Sequence, residues 1–281
     1  MGTHAHGIRK GSITVPYGAR VATRMSAEAN RRRFDPRPER SDYETGPVNS
    51  NVSRYLINLN GFRLAATKEF EETDPAYAAV LSATDEYVAH LIYRLSGKSM
   101  VANETERYLH YLLVTFVRGH FNVTQFARSG ELLEGGTLFR RQLEVLARLH
   151  EVRATPDLGA LLRRTPNVGR LQTNLNRLYG SYSAIAHGSD TREGDLLGTP
   201  FGEDHGDAYP VFPRFTRHAY VLIGHAVLSV LELHFWLLEH ADDLGWPIDK
   251  EWVEEWWTQN ATELMRLLQQ DPYDNQEAAD G

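Results

Sequence analysis

The sequence of 281 residues contains no cysteine, which excludes disulfides, thiolate nucleophiles and every cysteine-containing metal site. It also lacks an uninterrupted apolar run long enough to cross a bilayer. The nearest approach, "HAYVLIGHAVLSVLELHFWLLEH" at 218–240, is interrupted by His225, Glu232 and His234, whose burial in lipid is costly. It reads as a buried helix of a soluble bundle, so no membrane partner is expected. The first residues show no continuous apolar core of a signal peptide, and His6 stands where myristoylation wants serine or threonine. A cytoplasmic location is expected.

Several catalytic signatures are missing too. The chain has no glycine loop ending in Gly-Lys-Ser or Gly-Lys-Thr, no His-Glu-x-x-His and no Gly-x-Ser-x-Gly. Neither a cofactor nor a metal is therefore expected. Alternating strand patterns never persist over several segments, so the fold class is all-α, with roughly six to eight helices.

What is present begins with charge. The formal net charge of -7 divides unevenly: residues 1–45 carry nine basic and five acidic side chains, or +4, whereas residues 46–281 carry 21 and 32, or -11. The sequence thus predicts a basic, unstructured arm over 1–45, a single helical domain over 46–270 and an acidic tail over 271–281. A nucleic-acid role needs the arm or a local patch, because the body as a whole repels phosphate.

Helical periodicity fills the domain. A helix is predicted from about Ser50 to Glu72 with a bend near Gly61, and a second follows Asp74-Pro75, a cap with proline at the first helical position, to about Ser96. Leu109, Leu112, Leu113, Phe116 and Val117 form the apolar stripe of a third. Leu138, Leu143, Leu146 and Leu149 mark a fourth, and Thr155-Pro156 starts a short helix to about Arg164. Leu171, Leu175, Leu178, Tyr182 and Ile185 then predict one helix over 168–189. A polar crossing loop over 190–213 separates it from helices over 214–242 and 249–270, the last capped by Asp249. Trp246, Trp252, Trp256 and Trp257 are expected to lock that end helix to the body or to another subunit.

Three constellations carry candidate chemistry. Arg140 and Glu144, four apart, share a helix face and form either a structural pair or an oriented cation. Asn176, Tyr179, Ser183 and His187 line one polar stripe, suited to holding a phosphate oxygen or water, with His187 able to exchange a proton. Gly188 also suits a left-handed helix end, so His187 equally reads as a capping residue. His218, His225, Glu232 and Glu239 recur every seven residues on one long helix. They suggest either a metal-dependent bundle enzyme, the weaker alternative for the whole chain, or an interhelical seam, but the Glu-x-x-His spacing of di-iron bundles is absent.

The segments "GTLFRRQLEVLARL" and "LYGSYSAIAHGS" resemble an uncharacterised bacterial helical group related in fold to the HEPN superfamily, over about residues 104–189. The resemblance implies a HEPN-like multi-helix bundle with additional C-terminal helices, a homodimer, and a stress or phage-defence role. It further implies binding of RNA or a nucleotide, with metal-independent RNA cleavage as the associated activity. On it, Arg140 and Glu144 match the arginine-to-glutamate step, Tyr182 the tyrosine and His187 the terminal histidine. The superfamily's catalytic arginine and histidine, four to six residues apart, find no counterpart: nine residues separate Arg177 from His187 and eight separate Arg141 from His150. The competing reading is a non-enzymatic homo-oligomeric scaffold or a regulatory protein that acts through a protein partner.

Overall fold

The structure, a computed structural model, describes residues 51–95, 103–155, 157–189, 211–246 and 248–269, with side chains up to residue 260 apart from that of residue 95. The expected basic arm, the acidic tail and most of the crossing loop lie outside the described residues. Within them the chain is all-α, as the periodicity indicates. The helices are α1 (Asn51–Thr73), α2 (Pro75–Leu95), α3 (Glu104–Arg128), α4 (Leu132–Ala154), α5 (Leu158–Leu162), α6 (Tyr179–His187), α7 (His218–His240) and α8 (Lys250–Gln269).

Their starts follow local chemistry. The Asp74 carboxylate accepts from the amides of Ala76 and Tyr77, leaving Pro75, which has no amide hydrogen to offer, at the first position of α2. Asn103 accepts from the amide of Glu106 and donates back to its side chain, which closes the first turn of α3. Asp157, rather than Thr155, caps the short α5 through the amide of Ala160. Asp249 caps α8 through the amide of Trp252.

α3 and α4 form an antiparallel hairpin around Gly130, whose φ of +79° suits a residue without Cβ. A Cβ there would also lie 2.3 Å from the backbone oxygen of Arg214, where the chain returns to begin α7. α7 runs parallel to α4. Gly135 admits Leu222, and seven residues on Gln142 donates to Ser229 Oγ at 2.9 Å. α2 lies along the other side of α7, with Tyr77 against Tyr220 and Tyr87 bonded to His234. α8 folds back antiparallel to α2 and places Trp252 and Trp256 on Tyr87 and Trp257 on His234. The tryptophans therefore fasten α8 to the body.

One expected element is different. Instead of a single helix over 168–189, two short 3-10 turns, Val168–Arg170 and Asn174–Leu178, precede the nine-residue α6. The cause is Glu232 in the middle of α7, fully buried, whose carboxylate accepts from the amides of Gln172 and Thr173 at 2.8 Å each. Those amides are thereby unavailable to a continuous helical ladder. His150 donates to the same carboxylate at 2.7 Å. Upstream, buried Arg148 donates to the carbonyls of Leu161 and Arg164, while Glu151 accepts from the amide of Asn167. Segment 157–178 is thus a strap tied at both ends by buried charge. α7 also begins at His218 rather than near 214, since i to i+3 bonds from Ala219 and Tyr220 form a turn there first.

Burial alone would raise the pKa of Glu232, but its bonds from His150, Gln172 and Thr173 outweigh this and hold it below the usual carboxylate value. Removing the carboxylate leaves three buried donors without a partner. Glu232→Ala should therefore cost about 3–5 kcal/mol in urea unfolding. Burial also pulls His225 and His234 down to about 4, so both are neutral in the folded chain. The unfolded chain takes up protons at these positions below pH about 6.5, which the folded chain refuses. Unfolding free energy should accordingly be level above that pH and fall steadily down to pH about 4. His234→Gln, which preserves an acceptor for Tyr87, should reduce the slope; an unaltered slope would assign the effect to other groups.

Candidate functional site

α6 packs antiparallel on α4 because Gly136 leaves room: a Cβ there would already touch Tyr182 and Ile185 at 3.4 Å. This packing delivers Tyr179, the first residue of α6, onto the Arg140 and Glu144 pair. The Tyr179 hydroxyl donates to Glu144 Oε1 at 2.7 Å and accepts from Arg140 Nη2 at 3.2 Å. Arg140 Nη2 also lies 3.1 Å from Glu144 Oε1, and its guanidinium carbon sits 5.5 Å from the centre of the Tyr179 ring. The bond to Tyr179 and the charge of Glu144 outweigh burial and favour the cation of Arg140. Arg140 and Glu144 each keep about a quarter of their side chain exposed, and Arg140 Nε is buried without a partner.

The remaining sequence candidates occupy different surroundings. Tyr182 points inward, edge-on to Phe139, and its hydroxyl meets His225 Nδ1 at 2.7 Å. Because burial keeps that imidazole neutral, its nitrogen accepts from the phenol. Ser183 is half-buried on α6, whereas Asn176 is exposed on the preceding 3-10 turn, outside the helical period that the stripe assumed.

His187 stands exposed on the last turn of α6, followed by Gly188 at φ +59°, whose amide closes the helix. It stands eight positions after Tyr179, roughly 12 Å along a helix. α6 carries it away from Arg140, toward the start of α4. Within one chain, then, Arg140, Glu144 and Tyr179 converge, and His187 does not join them.

The seven-residue ladder on α7 also disperses. His225 bonds to Tyr182, Glu232 holds the strap, and Glu239 accepts from the Gln172 side chain at 3.2 Å. Among the described residues no group of three histidine or acidic side chains is arranged to hold a metal.

The structure adds a feature that averaging over the whole body conceals. Residues 158–189 contain four arginines and no carboxylate, inside a body that is acidic overall. Arg163, Arg164, Arg170 and Arg177 are all exposed along the strap, and Arg141 is exposed on the adjoining α4. Arg164 has only a long 3.9 Å approach to Glu151. The guanidiniums of Arg141, Arg163, Arg170 and Arg177 make no ion pair or hydrogen bond among the described residues. The signal was present in the sequence as a charge run, but the tertiary ties of Arg148 and Glu232 are what hold it on one element.

Tyr179→Phe preserves the ring over Arg140 and deletes the hydroxyl that joins Arg140 to Glu144. It should lower stability by about 1 kcal/mol in chemical denaturation. An unchanged midpoint would mean that solvent replaces the hydroxyl without loss. No family model matches the chain, and no curated protein or solved structure matches it.

Proposed function

We propose that the chain is a HEPN-like protein of prokaryotic stress or defence that binds RNA through the strap, with nucleotide phosphates as the smaller form of the same ligand. The observation that carries this reading is the row formed by Arg163, Arg170 and Arg177, exposed and without an ion pair or hydrogen bond to their guanidiniums among the described residues, on an otherwise acidic body. Arginine offers a planar fork of donors to phosphate oxygens, and unpaired arginines lose no internal partner when phosphate arrives. An acidic body around a basic strip restricts phosphate contacts to that strip and lowers non-specific adhesion elsewhere.

The associated activity is metal-independent RNA cleavage. In that reaction the 2'-hydroxyl oxygen attacks phosphorus, the bond from phosphorus to the 5' oxygen breaks, and water protonates the departing oxygen. His187, exposed beyond the strap, is the imidazole assigned to accept the 2'-hydroxyl proton, while arginines of the strip neutralise the phosphate. The pairing of Arg140 with Glu144 and Tyr179 favours a second reading, non-enzymatic binding or scaffolding, since it leaves Arg140 already neutralised.

Binding of fluorescent single-stranded RNA, measured by anisotropy across a salt series, tests the first part. Arg163→Gln, Arg170→Gln and Arg177→Gln together should weaken binding and reduce the salt slope by about 2, at roughly 0.7 per phosphate contact on single strands. Arg107→Gln with Arg118→Gln, exposed arginines on α3, should leave the slope unchanged. An unaltered slope in the strap variant would falsify the assignment. Cleavage in the presence of a chelator, lost in His187→Ala with binding retained, would support the catalytic part; binding without cleavage in the wild type selects the second reading.

A further inference from the structure

The triad of Arg140, Glu144 and Tyr179 is saturated on one side only. Glu144 Oε1 has both lone pairs filled, by the Tyr179 hydroxyl at 2.7 Å and by Arg140 Nη2 at 3.1 Å. Glu144 Oε2 and Arg140 Nη1 make no hydrogen bond among the described residues, and neither is sealed from solvent, since the buried unpartnered atom of the pair is Arg140 Nε. Both groups are held in place, the carboxylate by the phenol and the guanidinium by its stack 5.5 Å from the Tyr179 ring centre. With about a quarter of each side chain exposed, the triad thus presents one fixed acceptor and one fixed donor on groups that touch each other.

The triad also borders the arginine strip. Arg177, exposed and with no ion pair or hydrogen bond to its guanidinium among the described residues, precedes Tyr179 by two positions, and exposed Arg141 follows Arg140 on α4. A carboxylate at the edge of a phosphate-binding strip repels phosphate, so it costs affinity unless it meets a donor of the ligand itself. Arg140 is already balanced by Glu144, and the part of a ligand that fits here is therefore uncharged. In single-stranded RNA that part is the base, whose Watson–Crick edge is open to side chains once it is unstacked.

From this juxtaposition we infer that Arg140 and Glu144 form a guanine-reading site at the end of the strip, with Tyr179 as its positioning residue. The guanine edge runs acceptor, donor, donor. Its O6 accepts from Arg140 Nη1, while N1–H and the amino group donate to the two lone pairs of Glu144 Oε2. Uracil sets its single donor between two carbonyls, one of which would face the carboxylate. Adenine and cytosine each bring one amino group with a ring-nitrogen acceptor beside it, which leaves a lone pair of Oε2 without a donor. A site built around such groups rejects the ligand that lacks their partners.

The inference rests on the strap as the RNA-binding element, and its test separates the two. Anisotropy of the full chain is measured at fixed salt with labelled oligouridylate and with the same strand carrying one central guanosine, inosine, adenosine or cytidine. The guanosine strand should bind about tenfold more tightly than oligouridylate, the scale of one well-paired base contact. Inosine, which keeps O6 and N1–H and lacks the amino group, should fall between. In Glu144→Gln the amide oxygen stays with Tyr179 and Arg140 and the NH2 turns outward, donor against donor, so the guanosine strand should drop to the oligouridylate level. Tyr179→Phe, which frees the carboxylate to rotate, should narrow the same difference and supplies the variant test if Glu144→Gln does not fold by circular dichroism. Equal binding of all strands by the wild type, a preference for adenosine or cytidine, or a guanosine preference kept in folded Glu144→Gln would each overturn the guanine site and leave the strap standing. Absence of binding to every strand would overturn the strap reading and the guanine site with it.

Discussion

The carboxylate of Glu232 is the constraint from which the arrangement of half the molecule follows. It lies in the middle of α7, an apolar helix, with none of its side chain exposed. A charge in such a place is tolerable only when its oxygens are filled by donors, and here the amides of Gln172 and Thr173 and the ring of His150 fill them. By capturing two consecutive amides it prevents a helix through 172–173 and stops the chain there. Leu171 then enters the core from extended backbone, and Leu175 and Leu178 from a 3-10 turn. α6 starts at Tyr179, against Arg140 and Glu144.

The strap's other end is governed by the same kind of economy. Arg148 gives its guanidinium to two carbonyls and to Glu151, and Glu151 in turn holds the amide of Asn167. The carboxylates of Glu151 and Glu232 are therefore committed to backbone and buried partners, and only Arg164, at 3.9 Å from Glu151, approaches one of them from the outer side. The strap itself carries four arginines and no carboxylate, and the ties on its inner side hold these arginines outward. That links a stability device to the surface assigned to phosphate.

Arg140 shows the opposite disposition. It has the partners the strap arginines lack, with Glu144 one turn on and Tyr179 across the helix interface. Its resting state is a closed triad, stiff and locally neutral. An arrangement of this kind orients α6 against α4, and it gives the tyrosine at the first residue of α6 a partner on each side of its hydroxyl.

Much of the fold was legible in the residues. Periodic leucines on α3 and α4, Asp74 before Pro75 and Asp249 at a helix start are local signals, because an amide and a side chain three positions away meet whatever the rest of the chain does. The pairing of Arg140 with Glu144 and the end of α6 at Gly188 belong to the same class. The break over 168–178 was not legible, since its leucine spacing satisfies a helix perfectly well. Only a carboxylate sixty residues away in sequence, brought alongside by the packing of α7 on α4, diverts those amides. For the same reason Tyr179, placed with Ser183 and His187 by spacing alone, found Arg140 instead. Short-range hydrogen bonding and apolar periodicity determined the helices from the sequence; the tertiary structure alone decided which buried charge each backbone amide serves, because that choice depends on groups made neighbours only by packing.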